Sequence, residues 1–198
     1  ELIPSGETSS YRSNPIGLSE FALSRRVPEY VGRSKAVRAL EEAREAGDVP
    51  AEVKEVLAKV GGDAAHTTIG SCVFANKPGD GSAREQAASC QKVLGGFANV
   101  CYEYATKRYR SNCINWGIVP FTMDKALAFD YEDGDWLYIP GIRKAILDGQ
   151  EEFTAKVITK DGQVKELPLQ CKGLTADEKL IVTEGCLMNY YAAGYGKA

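Results

Sequence analysis

The residue types best suited to chemistry lie together in one glycine-rich turn. Residues 79–88 are Gly-Asp-Gly-Ser-Ala-Arg-Glu-Gln-Ala-Ala, and the pattern predicts a strand at 69–74 and then a helix that ends at Gly95. A helix start presents unpaired N–H groups and a partial positive charge. Ser82 offers a hydroxyl that a ligand can approach closely, and Arg84 offers a planar fork of donors suited to a carboxylate. The turn is therefore typical of an anion-binding site.

A structural interpretation of the same residues is also open. Residues 82–85 fit a capping box, in which the Ser82 and Glu85 side chains pair with backbone N–H groups and no chemistry follows. Arg84 fits this interpretation poorly, because the first turn of a helix favours acids and a cation there needs an anionic partner.

A longer set of residues resembles a known family. Residues 81–88 with 94–96 resemble the GSSREHAA…LGG signature of the C-terminal swivelling domain of aconitases and isopropylmalate isomerases. One further block with a family counterpart precedes this signature, at 2–6 with 11–12. The others follow it, at 104–105 with 111–112, at 117–122 and at 185–189. Ala83 replaces the family's second serine and Gln86 its histidine, so the substrate stays open among citrate or isocitrate, isopropylmalate, homocitrate and methylcitrate.

The resemblance implies a hydro-lyase that dehydrates and rehydrates a hydroxy di- or tricarboxylate. The serine matching Ser82 is the alkoxide base, the arginine matching Arg84 supports that alkoxide and a substrate carboxylate, and the arginine matching Arg12 binds a further carboxylate. Ala83 lies where the substrate is bound. We expect Asp80 to point away, because its charge would oppose an alkoxide.

The resemblance also implies that the other half of the reaction lies elsewhere. A 4Fe–4S cluster, bound by cluster-bearing aconitase domains or a large subunit and not by this chain, would be the Lewis acid. The chain is then inactive alone. Because it starts inside the family motif, we expect a fragment of a longer enzyme.

The composition predicts a single domain that spans residues 1–198. Within it, the segment 1–60 is predicted to be irregular at first and then helical, and the core is predicted at about 66–198. Its 198 residues are 44% apolar, which suffices for a sizeable core. With 24 basic and 27 acidic residues mixed along the chain, no polybasic segment indicates a nucleic acid or membrane partner. Since no apolar run approaches the roughly 18 residues of a membrane span, we expect a cytoplasmic protein.

The six cysteines contain no Cys-x-x-Cys pair, so we predict reduced thiols, Cys90 and Cys101 among them buried, and no metal site. His66 is predicted to be a loop residue. Ser82 lies outside a hydrolase nucleophile elbow, and no phosphate-loop motif is present.

The periodicity predicts an α/β fold, in agreement with the swivelling β/β/α domain that the resemblance implies, with a mixed, partly parallel sheet flanked by helices. A hairpin turn is predicted at 160–163, with Gly162 at positive φ. Predicted strands are 69–74, 98–102, 118–121, 136–139, 153–159 and 164–169. Predicted helices are 19–26, 32–47, 50–59, 84–94 and 104–115, and a last helical region runs from 174 to 183 and then on from 184 to 193.

Two functions without catalysis also stay open. The chain could be an anion-binding or regulatory module in which Ser82 only caps a helix, or an assembly subunit kept for its interface. The hydro-lyase interpretation alone requires Arg12 and Ser82 to converge on one cleft.

Overall fold

A computed structural model describes residues 2–4 and 6–196, and these residues form a six-stranded sheet. Ser5 of the 2–6 block lies outside the described residues. The strands are Ser71–Ala75 (β1), Gly96–Cys101 (β2), Val119–Thr122 (β3), Trp136–Tyr138 (β4), Glu152–Ile158 (β5) and Val164–Gln170 (β6).

The sheet has two halves with different strand directions. Its order is β1-β2-β3-β6-β5-β4, in which β1 to β3 are parallel and the pairs β3–β6, β6–β5 and β5–β4 are antiparallel. The halves meet where Thr122 pairs with Gln170. Each strand lies within two residues of its predicted bounds, and the prediction of a mixed, partly parallel sheet is confirmed.

Helices connect and flank the strands. They are Pro15–Ser19 (α1), Tyr30–Glu45 (α2), Ala51–Val60 (α3), Arg84–Val93 (α4), Lys107–Asn115 (α5), Ile142–Leu147 (α6), Ala176–Glu184 (α7) and Leu187–Ala192 (α8), with 3-10 turns at Ser9–Tyr11 and Ala64–His66. The parallel strands are joined through α4 and α5. Their carboxyl ends therefore meet at one edge of the sheet, where α/β folds place ligands.

Local signals explain several boundaries. The predicted hairpin joins β5 to β6, and Gly162 in its turn has a φ of 85°. A capping box begins α7, with the Thr175 side chain accepting from the Glu178 N–H and the Glu178 side chain accepting from the Thr175 N–H. Gly185 separates α7 from α8, close to the predicted division of this helical region after 183.

The prediction of a helix at 19–26 is wrong. The helix lies earlier because Asn14 caps it, with its side chain accepting from the Gly17 N–H at 2.9 Å, and Pro15 occupies the first helical position. Leu23 has a φ of 55°, which a continuing helix does not allow, and its N–H donates to the Leu2 carbonyl instead. The helix α6 was not predicted.

Three apolar clusters hold the elements together. The largest joins the sheet to α5, α6, α7 and α8; the second joins the N-terminal segment, α1, α4 and α5. The third is small and lies under α3, where Val53 and Leu57 pack with Ile69. The second cluster is the one that positions the glycine turn.

Candidate functional site

The turn before α4 leaves the start of that helix uncapped. Ala83 is the N-cap residue and its side chain has no capping hydrogen bond. Ser82 precedes the cap by one residue, so the spacing from Ser82 to Glu85 does not match a capping box. The Glu85 carboxylate instead accepts from the Trp116 indole N–H at 2.8 Å. The first N–H groups of α4 therefore remain available to an anion.

The path of the turn is fixed by α5. Gly79 is buried with a φ of 96°, and a Cβ on it would lie 2.4 Å from the ring of Tyr109. The Thr106 hydroxyl donates to the Gly79 carbonyl at 3.0 Å, and the Ala105 N–H donates to the Pro78 carbonyl at 2.9 Å. Only glycine fits this position, because both the backbone angle and the space exclude a side chain.

A chain of buried hydrogen bonds connects α4, β2 and α5. The Gln91 side-chain amide donates to the side-chain Oδ1 of Asn99 at 2.6 Å, and the Asn99 side-chain amide donates to the Tyr109 hydroxyl at 3.3 Å. These three side chains are at most 5% exposed. Buried polar groups are costly unless paired, so this chain fixes the relative positions of α4, β2 and α5.

The N-terminal segment covers the turn because α1 packs on α4. Leu18 is 3% exposed and Ile3 is 5% exposed, and each buried side chain of this size contributes about 1.5–3 kcal/mol. Packing these residues against α4 leaves an open cavity of about 270 Å³. The cavity is lined by Ile3, Thr8, Arg12, Leu18, Ser82, Ala83 and Gln86.

Three of the predicted site residues meet in this cavity. Arg12, Ser82 and Ala83 line it together, although 70 residues of chain separate Arg12 from Ser82. In the part of the chain that the structure describes, neither the Arg12 guanidinium nor the Ser82 hydroxyl has a hydrogen-bond partner. Asp80 is exposed and is not among the lining residues.

Arg84 does not line the cavity. It begins α4, and its Nε atom is buried without a hydrogen-bond partner among the described residues. A buried donor without a partner is destabilising by about 1–3 kcal/mol. The structure thus brings Arg12 to Ser82 but leaves Arg84 outside the cavity with an unpaired donor.

Sequence reasoning missed part of the lining. Ile3, Thr8 and Leu18 were not predicted, and Gln86 was noticed only as a departure from the family signature. Apolar residues in an irregular segment give no periodic signal that would assign them to a cavity wall. The sequence offered one signal for Ile3: it belongs to the same block of family-like residues, 2–6 with 11–12, as Arg12.

No family model matches the chain, but a curated protein and a solved structure are similar to it. Aconitate hydratase A from Bradyrhizobium diazoefficiens is 27% identical over 119 residues, which cover 57% of this chain and 12% of that protein. The solved structure of 3-isopropylmalate dehydratase (leuD) from Methanocaldococcus jannaschii matches 97% of this chain and 84% of its own, with a TM-score of 0.54 and 18% identity. The chain is thus similar in sequence to part of an aconitate hydratase, and its fold is similar to that of the 3-isopropylmalate dehydratase structure. It spans 12% of the length of the curated relative.

At the carboxyl edge of the sheet, ion pairs link the loops that follow the parallel strands. Glu103, after β2, pairs with Lys125, after β3, and with Lys77, after β1. The hydrogen bonds and charges of Lys125 and Lys77 lower the pKa of Glu103 to about 2. The three loops are thus held together next to the turn that carries Ser82.

Among the described residues, the cysteines do not form a ligand group for an iron–sulfur cluster. Within residues 2–4 and 6–196, no group of three or more cysteine, histidine or acidic residues could hold a metal ion. Cys90 and Cys101 are fully buried as predicted, and burial raises the pKa of each thiol to about 12. A thiol with this pKa is a poor ligand, because metals bind the thiolate.

His66 lies away from the cavity. His66 ends a 3-10 turn and is exposed, and its Nδ1 lies 2.5 Å from an Asp63 carboxylate oxygen, a neighbour that the sequence analysis overlooked. No helix in the described part of the chain is both long and apolar enough to cross a lipid bilayer.

Proposed function

We propose that this chain is the swivelling component of an aconitase-like hydro-lyase acting on a hydroxy di- or tricarboxylate. The observation that carries the proposal is the convergence of Arg12 and Ser82, both without partners among the described residues, on one cavity at the uncapped start of α4. The hydro-lyase names of the two matched proteins, aconitate hydratase and 3-isopropylmalate dehydratase, support the same reaction class.

Ser82 is proposed to act as the base. Its oxygen takes the proton from the carbon next to a substrate carboxylate, and the electron pair of that C–H bond becomes the second bond of the C=C. The hydroxyl on the neighbouring carbon accepts a proton as its C–O bond breaks and leaves as water. Rehydration reverses these steps with the hydroxyl on either carbon.

A serine alkoxide needs more than one stabilising group. The start of α4 contributes at most about 2 kcal/mol, which corresponds to roughly 1.5 pKa units. An aliphatic hydroxyl needs a larger shift, so additional donors in a cleft closed to water are required. We assign one of them to Arg84, whose Nε lacks a partner among the described residues and which lies two residues from Ser82.

Arg12 is proposed to bind a substrate carboxylate. Its guanidinium can form two parallel hydrogen bonds to a carboxylate, a stronger arrangement than a single neutral hydrogen bond. No acid lines the cavity among the described residues, so the charge of Arg12 is not neutralised there.

The Lewis acid is proposed to come from other domains or a large subunit. A 4Fe–4S cluster held there would polarise the departing hydroxyl, and the described residues of this chain offer it no ligand set. Domain closure would then bring Ser82 and Arg12 onto the substrate and exclude water. The roles proposed here are the same whether or not those domains share a polypeptide with this chain. We also propose that the protein is cytoplasmic.

The test uses the complete enzyme, with its cluster-bearing domains, and follows formation of the unsaturated acid by ultraviolet absorbance. Ser82→Ala should lower kcat by about 10²–10⁴-fold with little change in KM, because it removes the base but not the binding site. Arg12→Ala should raise KM by roughly 10- to 150-fold, which is the loss of a charge-assisted hydrogen bond.

Matched controls are available on the same surface. Ser10→Ala and Arg26→Ala change exposed residues outside the cavity and should leave both constants within a factor of two. If Ser82→Ala retains wild-type kcat while Arg12→Ala weakens carboxylate binding, the chain is an anion-binding module and the catalytic proposal is wrong.

A further inference from the structure

Two buried polar atoms in the helix pair α4 and α5 lack hydrogen-bond partners. In the described part of the chain four buried side-chain atoms have none, and two of these are the hydroxyls of Tyr30 and Ser71, at the starts of α2 and β1. The other two are Arg84 Nε, a donor, and Asn112 Oδ1, an acceptor. Each is unfavourable alone, because a buried polar group loses water and gains nothing in return. A hydrogen bond between them would satisfy both.

The packing of α5 places Asn112 opposite the start of α4. Tyr109 lies three residues before Asn112 and Trp116 four residues after it, so the three side chains share one face of α5. The Tyr109 ring lies against the beginning of the glycine turn, and the Trp116 indole N–H donates to Glu85 in the first turn of α4 at 2.8 Å. Asn112 lies between these two contacts and therefore faces the segment 80–84.

Asn112 is the acceptor best placed for Arg84. Glu85 is not, because adjacent side chains on a helix point in different directions and its carboxylate already accepts from Trp116. Glu85 and Asn112 line one groove of about 200 Å³, whereas Ala83 lines the cavity described above. Arg84 lies between Ala83 and Glu85 in the chain and lines neither space.

An arginine held at Nε keeps its terminal nitrogens for a ligand. The guanidinium is planar, and its five N–H donors have a fixed geometry. A hydrogen bond at Nε fixes the plane of the group and leaves the parallel N–H donors of the two terminal nitrogens for a carboxylate or an alkoxide. Without this bond the side chain rotates, and a misplacement of about 1 Å can reduce a rate by about 10²-fold.

We propose that Asn112 is a positioning residue for Arg84. Its Oδ1 accepts a hydrogen bond from Arg84 Nε when the partner domains close over the substrate, and the terminal nitrogens of Arg84 are then held toward Ser82. The inference rests on the hydro-lyase function and the role of Arg84 proposed above. Asn112 itself does not touch the substrate.

The test uses the complete enzyme and whichever of citrate, 2-isopropylmalate, homocitrate and 2-methylcitrate it converts fastest, with ultraviolet detection of the unsaturated acid. Asn112→Ala should lower kcat by about 10- to 100-fold, because Arg84 loses its alignment. KM should change by less than about threefold, since Arg12 and the partner domains still bind the substrate. Asn112→Asp keeps an acceptor at the same position and should stay within about fivefold of the wild-type kcat.

A double-mutant cycle distinguishes positioning from a structural role. Arg84→Lys keeps a positive charge but has no Nε, so adding Asn112→Ala to it should lower kcat by no more than about twofold. Asn115→Ala is the matched control, because Asn115 is an asparagine of the same helix that lines the same groove. It should leave kcat and KM within about a factor of two of the wild type.

The possible outcomes separate this inference from the proposed function. If Asn112→Ala lowers kcat equally with Arg84 and with lysine at that position, Asn112 acts through another group and the inference is wrong. If Asn112→Ala retains the wild-type kcat while Ser82→Ala loses it, the inference is also wrong but the hydro-lyase stands. If Ser82→Ala retains the wild-type kcat, or the enzyme converts none of the four acids, the hydro-lyase proposal fails and the inference fails with it.

Discussion

Replacing Gly79 by alanine tests how the turn before α4 is held. The new Cβ would lie 2.4 Å from Cγ and Cδ1 of Tyr109, a ring that is 1% exposed and whose hydroxyl accepts a hydrogen bond from Asn99. A φ of 96° adds backbone strain of about 1–2 kcal/mol for a residue with a side chain. Overpacking adds about 1–3 kcal/mol. Gly79→Ala should therefore lower the free energy of unfolding by about 2–5 kcal/mol.

The assay is urea unfolding followed by the fluorescence of Trp116 and Trp136. Gly81→Ala is the matched control in the same turn, because no positive φ occurs there and no atom lies within 4 Å of its added Cβ. It should change the free energy of unfolding by at most about 0.5 kcal/mol. If the two variants unfold at the same urea concentration with equal slopes, the ring of Tyr109 does not fix the turn and our account of the site's geometry is wrong.

Three further predictions concern other parts of the domain. The pKa of the Glu103 carboxylate is lowered from 4.5 to about 2. Its ion pairs therefore stabilise the folded state fully above pH 4.5 and progressively less as the pH falls to about 2. Urea unfolding at a series of pH values should show that Glu103→Gln removes this part of the acid dependence. Thr175→Ala removes the capping box of α7 and should cost about 1 kcal/mol in thermal or urea unfolding, whereas Thr175→Ser should cost little. Cys90 and Cys101, with thiol pKa values near 12, should resist alkylation at pH 8 in the native state and react in urea, as read by mass spectrometry; rapid native labelling of either would contradict their burial.

Much of the fold was predictable because it depends on local periodicity. The β5–β6 hairpin has strands of alternating burial around a glycine turn, and α7 carries its own capping box, so both lie close to their predicted positions. The wrong prediction of a helix at 19–26 arises from a contact between residues that are distant in the chain. Leu23 adopts a positive φ because its N–H bonds to Leu2, a contact that no local pattern contains.

The order of residues along the chain already specified which residue types are present at the turn: a serine and an arginine at a helix start, between glycines that allow a tight path. It also determined the absence of the second serine and the histidine of the family signature, at Ala83 and Gln86. These are properties of single positions and short spacings, so they need no knowledge of distant contacts.

Which of these residues share a cavity depends on contacts between elements that are distant in the chain. Packing of α1 on α4 brings Arg12 to Ser82 and turns Ile3 and Leu18 into a wall, while Arg84 stays outside with an unpaired Nε. The physical reason is that burial of apolar area is non-directional, and the shape of the packed elements then sets which side chains face each other.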